Sequence, residues 1–228
     1  MRFTALKNKL YTLLFLFLLA GNTFAQAPKK LNAAEILQGL KKLNVVGSAL
    51  YVAAHPDDEN TALIAWLANE KLVQTGYLSL TRGDGGQNLI GPEIRDQLGL
   101  IRTQELLQAR RTDGGQQFFT RANDFGFSKD YQETLTLWDK EQVLADMVWT
   151  IRKFRPDVMI TRFSTEPGTT HGHHTTSAIL ASEAFDAAAD PKRFPEQLQY
   201  VQVWQPKRIL WNTSSFFYGP DKKFDPTG

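Results

Sequence analysis

Two short segments of the sequence concentrate side chains that could perform hydrolytic chemistry. Residues 55–59 (HPDDE) place one imidazole and three carboxylates within five positions. Residues 171–174 (HGHH) hold three of the four histidines in the chain, and the fourth is His55. Imidazole and carboxylate groups around an open coordination position are typical of catalytic zinc sites, and the same donors suit iron(II) or nickel. The two segments therefore predict a divalent metal site.

Each segment also has a simpler interpretation. Asp57 could be the N-cap of a helix with an acidic first turn, which would explain one or two carboxylates but not His55. The histidine-rich segment could be a solvated loop. We favour metal binding because all four histidines fall at the ends of two predicted strands.

The elements that must position these segments alternate between strands and helices. Nearly continuous apolar runs predict strands at 48–54, 76–81, 116–120, 157–163 and 208–212. Helical spacing predicts helices at 32–42, 58–72, 92–111, 139–154 and 174–189. This alternation predicts an α/β fold with a doubly wound, mainly parallel sheet and flanking helices. Ligands bind beyond the carboxyl ends of strands in such sheets, which is where both segments lie.

The N-terminus has the layout of an export signal. A positive start with Arg2, Lys7 and Lys9 precedes an apolar run at 10–20 and small residues at 21–27. The run is shorter than the ~20 residues of a membrane span. We predict a signal peptide at 1–25, with cleavage after Ala27 or a buried core helix as alternatives, and a periplasmic or secreted protein without a transmembrane anchor in the mature chain.

The remaining boundaries and the composition narrow the function further. We predict a linker and N-terminal helix at 26–45, a catalytic domain at 46–215 and a tail at 216–228, with truncation of a longer protein as one interpretation of the tail. The chain has no cysteine, which excludes disulfides, thiolate metal sites and a cysteine nucleophile. Its net charge is +2, and loss of residues 1–25 would remove three positive charges and no acidic residue. This balance argues against nucleic acid as a partner.

Four motifs together resemble the PIG-L/LmbE-like family of N-acetylglucosaminyl deacetylases. They are residues 54–59 (AHPDDE), 81–86 (TRGDGG), 102–106 (RTQEL) and the histidine cluster. The resemblance covers about Val46 to Thr213. It implies a Rossmann-like fold and the zinc-dependent hydrolysis of an N-acyl group on an amino sugar.

The resemblance also implies roles for individual residues. His55, Asp58 and His174 are similar to the family's metal ligands, Asp57 to its general base, and His171 to the residue that stabilises the oxyanion. The family's second motif typically runs His-Pro-Asp-His, whereas Gly172 and His173 stand at its middle positions here. This departure leaves the charge state of His171 open and makes His173 an alternative third ligand.

Four further residues are candidates for substrate binding: Arg82, Asp84, Arg102 and His173. Arg82 could instead be a surface loop charge, and Arg102 could lie on a solvated helix face paired with Glu105. We predict an exported metal-dependent enzyme, with zinc as the expected metal, that removes an N-acetyl group from an amino sugar or glycoconjugate. The alternatives are an ester or phosphoester hydrolase with one or two metals, and a non-catalytic carbohydrate-binding module.

Overall fold

The computed structural model describes Tyr11, residues 30–168 and residues 170–213. The predicted signal peptide, apart from Tyr11, and the tail at 216–228 lie outside the described residues. The chain divides into two compact units, Met1–Gly39 and Leu40–Gly228. Among the described residues, no helix has the length and apolar character needed to cross a membrane.

The larger unit is built on one sheet of five parallel strands. The strands are β1 (Ser48–Ala53), β2 (Gln74–Ser79), β3 (Gln116–Phe119), β4 (Val158–Thr161) and β5 (Arg208–Trp211). Their order across the sheet is β3-β2-β1-β4-β5, and every neighbouring pair is parallel. This arrangement confirms the predicted α/β, Rossmann-like architecture.

Within residues 30–168 and 170–213 the strands are accompanied by six α-helices. They are α1 (Ala33–Lys42), α2 (Thr61–Ala65), α3 (Asp96–Asp113), α4 (Tyr131–Leu137), α5 (Lys140–Phe154) and α6 (Gly172–Ala187). α2 continues as a π-helical turn at Trp66–Glu70, and a 3₁₀-helix spans Pro195–Gln199. Short polar side chains start several of them: the Asn32 carboxamide accepts from the Glu35 amide at 2.9 Å, and the Asp139 carboxylate accepts from the Gln142 amide at 3.1 Å.

Three predicted helix starts were wrong, and each error bears on the site. α2 begins at Thr61 instead of Asp58, because residues 55–59 form a separate turn and the Asn60 side chain caps the helix by accepting from the Leu63 amide. α3 begins at Asp96 instead of Pro92. α6 begins at Gly172, two residues before the predicted start, so His173 and His174 lie in its first turn.

The central strands of the sheet are buried on both faces, and β1 divides its side chains between the two. Leu50 and Val52 join a core with α5 and α6, whereas Tyr51 and Ala53 join a second core with α2 and α3. The helix after β1 therefore packs on one face, and the helix after β4 packs mainly on the other. Because β1 and β4 are neighbours, a crevice opens between their carboxyl ends, which is the usual ligand position in such sheets.

Candidate active site

The turn after β1 carries the first chemical segment in a constrained conformation. Asp57 has a φ of 90°, a value that costs free energy for a residue with a side chain. Its amide donates to Glu59 Oε2 at 3.0 Å. The buried Tyr77 hydroxyl donates to the His55 carbonyl at 2.5 Å. These bonds fix the turn, and Asp57 and Asp58 both line the adjacent cavity.

Arg110 on α3 forms a buried ion pair with Glu59 in the same turn. Its guanidinium donates to Glu59 Oε1 at 3.2 Å, and the two side chains are only 3% and 4% exposed. The same group donates to both carboxylate oxygens of Asp113 and to Gln117 Oε1. The sequence analysis missed Arg110, because it lies beside Arg111 and resembles a surface charge near the end of a helix.

His55, Asp58 and His174 meet where β1 and β4 end. His55 Nδ1 lies 3.2 Å from Asp58 Oδ2, and His174 Nε2 lies 3.4 Å from Asp58 Oδ1. A tetrahedral ion with bonds of about 2.1 Å needs ligand atoms about 3.4 Å apart. His171 also approaches, since His55, His171 and His174 offer ligand atoms that all lie within 4.8 Å of one another. The two pairs that Asp58 forms have the spacing of metal ligands, whereas the three residues that offer one atom each within 4.8 Å are the histidines, so the site suits a divalent ion without fixing which of these donors would hold it.

The start of α6 explains one departure from the His-Pro-Asp-His pattern. The Gly172 amide donates to the Ser128 carbonyl at 3.0 Å, a bond that proline could not make. A Cβ at this position would collide with Asp130 O and Ser128 Oγ. Glycine therefore lets the helix start pack tightly against residues 128–130.

Buried hydrogen bonds keep Asp58 ionised. Burial opposes its charge, but hydrogen bonds from His174 and His55 outweigh burial and hold the pKa of Asp58 well below its usual range. Burial also disfavours charge on His55, yet its hydrogen bond to Asp58 and the nearby charges of Asp58 and Asp124 raise the pKa of His55. The site therefore concentrates negative charge that a cation would stabilise.

His171 and His173 are neutral near pH 7. Burial, followed by the charges of His174 and His55, lowers the pKa of His171 to about 4. Burial and the charges of the surrounding histidines lower the pKa of His173 to about 3. The charge state of His171, left open by the sequence, is thus that of a neutral imidazole.

The side chains that carry the proposed chemistry, apart from His173, line a cavity of about 390 Å³. Besides His55, Asp57, Asp58, His171 and His174, the lining comprises Pro56, Gly83, Gly85, Gly86, Gln87, Arg102, Asp124, Gly126 and Phe127. The sequence analysis missed Gln87, Asp124 and Phe127. Asp124 lies in the irregular segment after β3, where no local spacing singles it out.

The predicted substrate-binding residues divide into two groups. Arg102 lines the cavity and donates to Asp57 Oδ2 at 2.9 Å and to the Pro56 carbonyl at 3.0 Å, in addition to its expected pairing with Glu105 at 3.5 Å. Arg82 and Asp84 do not line this cavity. Arg82 packs over the Phe119 ring at 4.1 Å, and Asp84 accepts from the Asp124 amide at 3.2 Å.

His173, the fourth candidate, is completely buried behind the cavity. Its ring lies 5.1 Å from that of His55 between centroids, and it contacts Phe125 and Trp138.

Comparison with known proteins places this geometry in context. Residues 50–185 match the family model described as "PIG-L: GlcNAc-PI de-N-acetylase". The chain is 28% identical over 177 residues to the mycothiol S-conjugate amidase of Streptomyces coelicolor, covering 71% of this chain and 59% of that protein. It is 30% identical over 181 residues to the 1D-myo-inositol 2-acetamido-2-deoxy-alpha-D-glucopyranoside deacetylase of Geodermatophilus obscurus, covering 71% and 60%. The chain thus spans less than two thirds of the length of these relatives.

Two solved structures share the fold. The N,N'-diacetylchitobiose deacetylase of Pyrococcus horikoshii aligns with a TM-score of 0.60 at 17% identity, covering 81% of this chain and 70% of that one. The 4-carboxy-2-hydroxymuconate hydratase GalB of Pseudomonas putida aligns with a TM-score of 0.54 at 19% identity, covering 72% and 64%. Their names describe different reactions, so the fold by itself does not define the chemistry.

Proposed function

Because the chain belongs to the PIG-L family, we propose that it is a metal-dependent hydrolase that removes an N-acetyl group from an amino sugar or glycoconjugate. The observation that carries the proposal is the meeting of His55, Asp58 and His174 beside Asp57 in one cavity. This set provides metal ligands and a carboxylate base, which are the groups that amide hydrolysis requires.

His55, Asp58 and His174 would hold the ion, with zinc as the metal that two imidazoles and one carboxylate favour, and iron(II) or nickel as alternatives. When bound, a divalent ion supplies Lewis acidity, which polarises an acyl oxygen and makes water a better nucleophile at neutral pH. The ionised state of Asp58 matches the protonation that metal ligation needs, and a bound ion would have to displace the proton that the raised pKa of His55 favours.

Asp57 is suited to move the proton. Its side chain is 71% exposed at the cavity, and Arg102 holds its Oδ2 at 2.9 Å. The carboxylate would accept a proton from water as oxygen attacks the acyl carbon. It would then deliver that proton to the sugar nitrogen as the C–N bond breaks. The products are acetate and a free amine.

His171 is placed to stabilise the acyl oxygen. Its ring lines the cavity and lies 3.7 Å from the His174 ring between centroids. Its Nδ1 is buried and has no hydrogen-bond partner among the described residues, so Nε2 is the nitrogen that can reach a substrate in the cavity. A neutral imidazole carries one N–H, so it would donate a hydrogen bond to the oxygen as negative charge develops there, without competing with the metal as a second cation.

The mouth of the cavity supports a sugar substrate. Phe127 lines it with 81% of its surface exposed, which provides an apolar face against which a sugar ring can pack. Gln87 adds an amide that can bind hydroxyl groups. The relatives named above include a deacetylase of an acetamido-glucopyranoside, which agrees with an N-acetylglucosaminyl substrate.

The test compares Asp57→Asn, His55→Ala and a control variant of the intact protein on N-acetylglucosaminyl substrates. Acetate release, amine release and metal content are the readouts. Asp57→Asn should lower turnover by about 10²–10⁴-fold while retaining the metal. His55→Ala should lose the metal. Asp186→Asn, which changes an exposed carboxylate on α6, is the matched control and should behave as wild type.

Wild-type acetate release by Asp57→Asn would contradict the assignment of the base. Cleavage of ester or phosphoester substrates, with no amine released from any N-acetylated sugar, would contradict the deacetylase proposal itself.

We also propose that the protein is exported, on the basis of the charged start and apolar run at residues 1–25. Intact-mass measurement of the protein recovered from the producing cells tests this. We expect a mature N-terminus after Ala25 or Ala27, and retention of Met1 in all of the protein would refute it.

A further inference from the structure

A second set of potential metal ligands lies beside the first and shares one histidine with it. His55, Asp124 and His173 offer ligand atoms that all lie within 4.8 Å of one another. Whereas His55 Nδ1 lies 3.2 Å from Asp58, Nε2 of the same ring lies 3.9 Å from Asp124 Oδ2. We propose that a divalent transition-metal ion can also bind on the Nε2 side of His55, held by His55, Asp124 and His173.

His173 is the strongest indication of this second position. The residue is 0% exposed, and neither ring nitrogen has a hydrogen-bond partner among the described residues. Its ring is packed against Phe125 at 4.3 Å and Trp138 at 5.0 Å. The Trp138 indole N–H is occupied by the Asn123 carbonyl. A buried polar atom without a partner destabilises the fold, and a metal bond to either nitrogen would remove part of that cost.

Asp124 supplies the charge that such an ion needs. It is 9% exposed, its Oδ1 accepts from the Gly126 amide at 2.8 Å, and its Oδ2 faces His55. The remaining oxygen is therefore directed at the shared histidine. A tetrahedral ion needs ligand atoms about 3.4 Å apart, so the 3.9 Å separation requires only small side-chain movements.

The shared ring makes the two positions alternatives. A neutral imidazole binds a metal through one nitrogen while the other carries a proton. With the ion on the Nε2 side, His55 Nδ1–H can donate to Asp58. With the ion on the Nδ1 side, Nε2–H points toward Asp124. Each carboxylate thus orients the ring for the other position, in the carboxylate–histidine–metal arrangement that is common in metalloproteins.

This inference concerns metal binding and does not depend on which bond the enzyme cleaves. Its test uses cobalt(II) as the probe, with the metal-free protein titrated and followed by visible absorption and equilibrium dialysis. The variant His171→Ala/His174→Ala removes one assigned ligand of the first position together with the neighbouring imidazole, and keeps all three ligands of the second position. We expect it to bind one equivalent of cobalt(II), with an affinity weakened by about 100-fold. Addition of Asp124→Asn and His173→Phe should then abolish binding.

Asp58→Asn provides a second route if the histidine variant does not fold, because it weakens the first position through its carboxylate. It should retain cobalt(II) and lose it when His173→Phe is added, because His173 belongs to the second ligand set alone. Asp84→Asn is the matched control, because Asp84 contacts the Asp124 amide but belongs to neither ligand set. The proposal is wrong if folded His171→Ala/His174→Ala binds no cobalt(II) at millimolar concentration, or if its binding survives removal of Asp124 and His173.

Discussion

Arg110 offers a sharp test of how the protein holds the turn at residues 55–59. We consider Arg110→Met, which keeps much of the apolar stem and removes the guanidinium. In the wild type this group contacts Glu59 at 3.2 Å and both carboxylate oxygens of Asp113, with all three side chains nearly inaccessible to water. The variant therefore leaves two buried carboxylates without their cation.

The structure allows the magnitude to be estimated. Removal of one partner from a buried ion pair costs about 3–5 kcal/mol, because the remaining charge stays desolvated. Glu59→Gln should cost less, about 1–2 kcal/mol, since Arg110 keeps Asp113 and the new side chain can still accept from the Asp57 amide. In the double variant the side chain at position 59 is a neutral glutamine, so removal of the Arg110 guanidinium no longer leaves an uncompensated charge there. Its loss should therefore be about 1–2 kcal/mol smaller than the sum of the single losses.

The assay is urea unfolding of the wild type and the three variants at pH 7, followed by circular dichroism and treated as a double-mutant cycle. The exposed pair of Arg121 and Asp146, at 2.8 Å, is the matched control, and its coupling should be below about 1 kcal/mol. The reasoning fails if Arg110→Met costs less than about 1 kcal/mol, or if the Arg110 and Glu59 losses add within about 0.5 kcal/mol.

Three further predictions concern stability and the cavity wall. Arg152 is buried and donates to five backbone carbonyls and a glutamine, so Arg152→Met should lower the free energy of unfolding by about 3 kcal/mol in urea titrations. In metal-free protein the pKa of His173 is lowered to about 3 in the folded state, whereas it is ~6.5 in the unfolded chain. Between these two pH values the unfolded chain therefore binds a proton at His173 and the folded protein does not. Stability should therefore fall as the pH is lowered from 6 to 4, and His173→Phe should make the fall shallower by about 1 kcal/mol per pH unit, measured by urea unfolding at each pH. A Cβ at Gly85 would collide with backbone atoms of Asp124 and Gly126, so Gly85→Ala should lower the melting temperature and shift the amide resonances of both residues.

The architecture could be predicted from sequence because burial leaves a strong pattern. Residues 48–54 form a nearly continuous apolar run, and the structure buries every residue of β1. The helix starts near the site were harder to locate, because Asp58 and Glu59 look like an acidic first helical turn. Their side chains instead contact His55 and Arg110, and these tertiary contacts delay the helix to Thr61.

The site was predictable only where it depends on strand ends. His55 and His174 follow strands that the apolar pattern identifies, so their meeting could be inferred. Asp124 lies in an irregular segment with no periodicity, and Arg110 reaches the site from the far end of α3. Neither position is encoded by local spacing, since both depend on how separate elements pack.

The parallel order of the sheet also determines when the cavity can come into existence during folding. The pairing of β1 with β4 joins residues such as Ser48 and Asp157, which are 109 positions apart. Non-local contacts of this kind carry a large loop-closure cost and form slowly. Synthesis from the N-terminus makes residues 55–59 long before residues 171–174. A growing chain that ends before α6 holds Asp57 and Asp58 but lacks His174, so its metal-binding chemistry is delayed until the second half of the sheet has docked.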